Sequence, residues 1–133
     1  MLDYPPKILI AFGETFSERD GAFLNALIEN GYPELAALSS AIHGSYEAVD
    51  WLMKNKFLHF AALDGAIDKQ AGAYAWLRQN KFDFLVLFAD AVNEQEEALA
   101  WLKENQLGIF LLLAQKIREF RGNQSYDYHK LHF

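Results

Sequence analysis

Two consecutive stretches, Ser45–Lys69 (SYEAVDWLMKNKFLHFAALDGAIDK) and Gln70–Glu94 (QAGAYAWLRQNKFDFLVLFADAVNE), align without a gap. The same 25-residue period extends outward to Asp20–Gly44 on one side and Gln95–Glu119 on the other. In this alignment the seventh column is Ala26, Trp51, Trp76, Trp101, the eighth is Leu27, Leu52, Leu77, Leu102, and the eleventh is Asn30, Asn55, Asn80, Asn105. Apolar columns continue at the sixteenth (Leu35, Phe60, Leu85, Phe110), nineteenth (Leu38, Leu63, Phe88, Leu113) and twenty-third (Ile42, Ile67, Val92, Ile117) positions. A unit this short cannot bury its own apolar face, so the repeat predicts units stacked on one another around a continuous core.

Within each unit the apolar columns fall into two runs at helical spacing, which predicts two helices of roughly eleven residues. The Asn column between them suits a left-handed residue that ends the first helix. Ser45 suits an N-cap, Glu96 and Glu97 suit a helix start, and Lys54 and Lys103 suit a helix end. Pro33 fits a first turn, and Gly44 marks a junction between helices. Before the first full unit, residues 7–18 (KILIAFGETFSE) match a second helix such as DFLVLFADAVNE at one residue off the period, and read as an N-terminal half-repeat. The sum is a single all-α domain over residues 1–120, with about nine short helices and repeats at 20–44, 45–69, 70–94 and 95–119. Residues 121–133 lack a helical period and read as a C-terminal tail. The three tryptophans are expected to be packing anchors between the first helices of adjacent units, so Trp76→Ala is expected to cost about 3–5 kcal/mol.

Composition narrows the function classes. The 133 residues carry a net charge of −6, with twelve Lys and Arg scattered along the chain, so no basic stripe is available to neutralise phosphates. Nucleic acid and anionic membrane are therefore unexpected partners. With no cysteine, the chain can be neither disulfide-stapled nor thiol-catalytic. The N-terminus lacks the pattern of a signal peptide, and the apolar run Ile8–Phe12 is too short to span a bilayer, so a soluble cytoplasmic protein is expected.

No sequence pattern points to catalysis. There is no phosphate-binding glycine loop, no His-Glu-x-x-His helix and no Gly-x-Ser-x-Gly turn. Gly13 reads as a close-packing position inside a helix. His43 and His59 fall in columns that hold other residue types elsewhere, and Asp127, His129 and His132 would approach a metal only if the tail were helical. No catalytic, cofactor-binding or metal residue is assigned, and the protein is expected not to be an enzyme.

At Gly44–Asn55, GSYEAVDWLMKN resembles the second helix of an ankyrin repeat, and at Phe57–Gly65, FLHFAALDG resembles the first, with its Leu-His-x-Ala-Ala core. The resemblance implies a right-handed α-α solenoid of ankyrin-like stacked hairpins that binds other proteins. The chain departs from the family in its period, since ankyrin repeats run to about 33 residues and include a β-hairpin finger for which this period leaves no room. The Thr-Pro turn before the first helix is also absent.

Stacking does not account for columns fifteen and eighteen, which lie away from the core centre on a helical wheel. They hold Glu34 and Ala37, then His59 and Ala62, but later become Phe84 and Leu87, then Ile109 and Leu112. Large apolar residues facing outward mark either a contact surface or an incorrectly placed helix boundary. Phe84, Leu87, Ile109 and Leu112 are thus expected to line a concave helical face for a protein partner or a second copy of the chain, unless neighbouring helices or the tail residues Tyr126, Tyr128, Leu131 and Phe133 cover them. The expected function is a non-enzymatic protein-interaction module. The alternative is a small-molecule binder or enzyme with a pocket between helices, for which a cavity enclosing His59, Asp64 or Asp90 would be the sign.

Overall fold

The computed structural model describes residues 1–131, with side chains through Asn123. The described chain is all-helical, with α1 (Pro6–Glu14), α2 (Ala22–Glu29), α3 (Pro33–Ile42), α4 (Tyr46–Lys54), α5 (Leu58–Ile67), α6 (Ala71–Gln79), α7 (Asp83–Val92), α8 (Glu96–Glu104) and α9 (Gly108–Leu131). Each repeat supplies one even-numbered and then one odd-numbered helix, and the half-repeat supplies α1. The last helix departs from expectation: α9 continues through Phe120 to Leu131 where no helical period was read. The side chains of Tyr126, Asp127, Tyr128, His129 and Leu131, and all of His132 and Phe133, lie outside the described residues.

The repeat is punctuated by backbone geometry. Left-handed backbone falls on the residue after the asparagine rather than on the asparagine itself: Gly31 (φ 88°), Lys56 (71°), Lys81 (63°) and Gln106 (61°). Each asparagine instead turns its side-chain amide back to the carbonyl four residues earlier, as in Asn55 Nδ2 to Trp51 O at 2.8 Å, and the same bond recurs at Asn30, Asn80 and Asn105. One residue past the left-handed position, a backbone N–H reaches the carbonyl of the buried leucine: Tyr32 to Leu27, Phe57 to Leu52, Phe82 to Leu77 and Leu107 to Leu102, at 2.8–2.9 Å. This closing bond satisfies a carbonyl that would otherwise be orphaned at the helix end. A second left-handed point closes the odd-numbered helices at Gly44 (105°), Lys69 (63°) and Glu94 (62°). Ser45 caps α4 as expected, its hydroxyl accepting from Ala48 N at 3.1 Å.

Two classes of helix result. Every even-numbered helix packs on the odd-numbered helix before it and the one after it, and on no other even-numbered helix. The odd-numbered helices pack in order from α1 to α9, and α9 packs back on α1, which closes the circuit. An open stack would keep its first and last helices apart.

All five odd-numbered helices run the same way. Near their N-terminal ends Tyr4 donates to Glu34 (3.1 Å), His59 stacks on Phe82 (5.0 Å) and Phe84 meets Phe110 edge-on (4.9 Å). Near their C-terminal ends Lys116 pairs with Glu14 (3.1 Å), Arg118 donates to the carbonyls of Ala91 (2.9 Å) and Val92 (3.2 Å), and Arg121 pairs with Asp68 (2.6 Å). The core they share contains Phe12, Phe60, Phe88 and Phe110 with Leu38, Leu63, Ile67, Leu113 and Ile117, none more than 2% exposed. Gly13 makes the closing contact possible, since a Cβ there would lie 2.8 Å from Leu113 Cδ2.

The tryptophan column is not the anchor it was expected to be. The buried column is the neighbouring leucine, with Leu27, Leu52, Leu77 and Leu102 at 1% exposure or less, whereas Trp51 and Trp76 are half-buried and Trp101 is 42% exposed. Because the even-numbered helices do not meet, tryptophan cannot bridge them. Trp51 instead stacks on Phe57 (6.0 Å, 6° between planes) and Trp76 on Phe82 (5.7 Å, 11°), each within its own hairpin.

Candidate functional site

The four residues expected to bind a partner lie on α7 and α9. Phe84 and Leu87 on α7 and Ile109 on α9 are half-buried and pack against the core. Leu112 on α9 is 43% exposed. The repeat explains the difference. Column eighteen runs along the flank of each odd-numbered helix that faces the next even-numbered helix, and Ala37 at this position lines a groove together with Ala48 and Trp51 of α4. No even-numbered helix follows α9 among the described residues, so four outer helices serve five seams and the α9–α1 seam carries none. Leu112 stands beside that bare seam.

The clearest apolar concavity is the groove between α2 and α4, floored by α3. Its volume is about 360 Å³, and its apolar lining includes Leu24, Ile28, Pro33, Ala36, Ala37, Ala48 and Trp51, with Glu47 at its lip. It forms because α2 and α4 both lean on α3 without touching each other. Sequence reasoning assigned Trp51 to the core and so did not find this groove. The small side chains at columns seventeen and eighteen, Ala36 and Ala37, leave room above α3, but the second unit carries the same pair at Ala61 and Ala62, so residue type does not single out this groove.

The groove is continuous with a larger polar cleft of about 580 Å³, the two sharing Leu24, Ser40 and Ser45. Thr15, Glu18, Arg19, Ser39 and His43 also line the cleft. Thr15 and Ser39 are buried, yet each has a partner: Ser39 Oγ donates to Thr15 Oγ1 at 2.7 Å, and the Thr15 hydroxyl donates to the Phe12 carbonyl. His43 Nδ1 lies 2.7 Å from the Ser39 carbonyl, and the His43 ring stacks on Phe16 (5.3 Å) and lies 4.3 Å from Phe120. The Glu18 carboxylate accepts from the backbone N–H groups of Phe23 (2.6 Å) and Leu24 (3.0 Å) and so caps the start of α2. These bonds tie α1, α2 and α3 together at one end; the polar residues of the cleft act as fasteners.

His59, Asp64 and Asp90 are not gathered into one cavity. Burial lowers the pKa of His59, which is sandwiched by Phe60 (4.5 Å) and Phe82 (5.0 Å). Burial, with the nearby Asp68 carboxylate adding to it, pushes the Asp64 carboxyl up to about 6 against the opposing pull of Arg121. Asp64 and Asp68 line a small cleft of about 130 Å³ with Tyr46 and Val49. Asp90 accepts from the Tyr74 hydroxyl (2.9 Å) and borders a different, open cleft with Glu94, Glu96 and Glu97.

Charge divides the surface unevenly. From Asp20 to Asp50, the span that builds α2, α3 and the first half of α4, there are five carboxylates and no Lys or Arg, with Lys54 following at the end of α4. Among the described residues no helix is long and apolar enough to cross a membrane, and no group of three His, Asp or Glu is placed to hold a metal ion. No family model, curated protein or solved structure matches this chain.

Proposed function

We propose that this protein is a non-enzymatic interaction module, an ankyrin-like right-handed stack of helical hairpins curled until its ends meet, which binds a protein partner. The observation that carries the reading is the open apolar groove left between α2 and α4, walled by Trp51. Such grooves expose an amphipathic aromatic beside small apolar residues, the composition on which binding energy concentrates in protein interfaces. The partner surface lies on the outer grooves rather than on Phe84, Leu87 and Ile109, whose flanks are partly covered by neighbouring helices. A cytoplasmic setting fits a chain without cysteine, which loses nothing under reducing conditions. A small-molecule site in the adjoining 580 Å³ cleft is the weaker reading, because its buried hydroxyls already bond one another.

The test compares Ala37→Arg, which fills the groove, with Leu112→Arg at the bare seam, using affinity capture from the source cells. Circular dichroism would check that both variants stay folded. Ala37→Arg should lose the partner while Leu112→Arg keeps it. Loss by Leu112→Arg alone would move the interface to α9.

A further inference from the structure

We infer that the α2–α4 groove takes a short basic amphipathic helix. This deepens the interaction reading above and rests on it. The dimensions come first. The floor of the groove is α3 from Pro33 to Ser40, about 12 Å at 1.5 Å per residue, which matches about two turns of a docked helix. Its walls are two further helices that lean on the same floor and leave a gap between them. A slot bounded by helices on three sides suits ridges-into-grooves packing by a fourth, with anchors at helical spacing directed at Leu24, Ile28, Ala37 and Trp51.

Charge then selects the kind of helix. The groove is lined almost entirely from the Asp20–Asp50 span, which holds five carboxylates and no Lys or Arg of its own. Asp50 is already held by Lys54 at 2.8 Å, and Glu34 accepts from Tyr4 at 3.1 Å. Glu47 lines the groove, and Glu29 follows the groove-lining Ile28 at the exposed end of α2; neither forms an ion pair among the described residues. Lysine or arginine on the flanks of a docked helix would meet both, whereas an acidic helix would be repelled.

The equivalent positions in later repeats are built differently. Between α4 and α6, a Cβ at Gly65 would lie 2.9 Å from the Ala73 Cβ, so α6 sits tightly against α5. Between α6 and α8, the positions of Ile28 and Pro33 become Arg78 and Asp83. The first groove has Glu47 as its only charged lining residue.

The test uses a designed peptide of about 14 residues, long enough for a few helical turns, made of leucine at helical spacing and lysine elsewhere. A control peptide carries glutamate in place of lysine. In a Trp76→Phe, Trp101→Phe protein, Trp51 is the sole tryptophan and reports on the groove by its emission. The lysine peptide should shift that emission saturably and perturb backbone amide resonances of the unsubstituted protein within residues 22–54. The glutamate peptide, and the lysine peptide on an Ala37→Arg or a Glu29→Lys, Glu47→Lys protein, should bind at least about tenfold more weakly, a difference of about 1.4 kcal/mol. Amide shifts spread evenly over the acidic surface, including Asp90–Glu97, or absent from residues 22–54, would overturn the inference. If a cellular partner is still captured through the groove while the lysine peptide fails, only the basic-helix assignment falls. If Ala37→Arg leaves capture intact, the interaction reading at this groove falls with it.

Discussion

The odd-numbered and even-numbered helices come from the same repeat units, but from α3 to α8 the odd-numbered ones are the more apolar, and the two classes meet opposite fates. The odd-numbered helices pack on their neighbours at both flanks, and their phenylalanines Phe12, Phe60 and Phe88 are at most 1% exposed. The even-numbered helices each bury one leucine at 1% exposure or less, and α4, α6 and α8 leave the adjacent tryptophan partly in solvent. Convergence explains the contrast. When hairpins curl toward a common centre, the inner helices are pressed together and the outer ones fan apart. The inner layer therefore holds the stability, and the outer layer is left with grooves to offer.

The sharpest way to break this contrast is to truncate one aromatic from each layer. Phe60→Ala should cost about 3–5 kcal/mol, because a fully buried ring leaves a cavity that its neighbours cannot fill. Trp101→Ala removes a larger side chain, yet at 42% exposure it should cost under about 1.5 kcal/mol. Urea denaturation measures both, and equal losses would contradict the two-layer account.

Closure itself is tested at Gly13, where added bulk meets the Leu113 side chain at 2.8 Å. Gly13→Val should lower stability by about 1–3 kcal/mol through overpacking. Loss of the α1–α9 contact should also free Lys116 from Glu14, seen as changed amide shifts in both helices. A neutral Gly13→Val would mean that α1 sits loosely on α9.

The next effect is electrostatic. The Asp64 carboxyl titrates near 6, above the ordinary 3.8, so burial favours its neutral form. The folded state is then favoured by this group below about pH 4, and that contribution is lost as pH rises toward 6. Asp64→Asn should therefore stabilise the protein at pH 7 by about 1 kcal/mol, a figure already reduced for solvent screening of a partly exposed group, with the gain vanishing near pH 4. Thermal melts at the two pH values would reveal it, and a gain that is constant with pH would rule out titration as its cause.

The smallest effect lies in the punctuation of the repeat. Lys81 adopts φ 63°, a conformation that costs a residue with a Cβ roughly 1 kcal/mol and glycine almost nothing. Lys81→Gly should raise stability by up to about 1 kcal/mol, whereas Gly31→Lys, with φ 88° at the same column, should lower it by a similar amount. Chemical denaturation of the pair checks the sign at each position.

Much of this architecture was legible in residue order. The period predicted the paired helices, Ser45 the start of α4, and Gly44 the turn before it, since each depends on groups within a few residues of one another. The asparagine column was placed correctly at a helix end, but its mechanism was misread by one residue, because a side-chain amide and a left-handed backbone both end helices and share the same composition signal. Nothing in the pattern distinguished Leu52 from Trp51 as the buried member of the pair: both are large, apolar and adjacent, and only the orientation of α4 on α3 and α5 assigns them to core and groove. The extension of α9 past Phe120 was missed because residues 121–131 carry no sustained run of apolar residues at helical spacing.

Residue order by itself determined the repeat, the helices and their caps, all governed by interactions within about one or two turns. The tertiary structure alone decided that α1 and α9 meet, bringing Ser17 within 3.3 Å of Lys116 across 99 positions of sequence. Closure depends on a small rotation between successive hairpins, summed over the whole array. A gapless period records that every step is alike without recording how large each step is, and so neither the bare α9–α1 seam nor the groove beside Trp51 could be read from the chain.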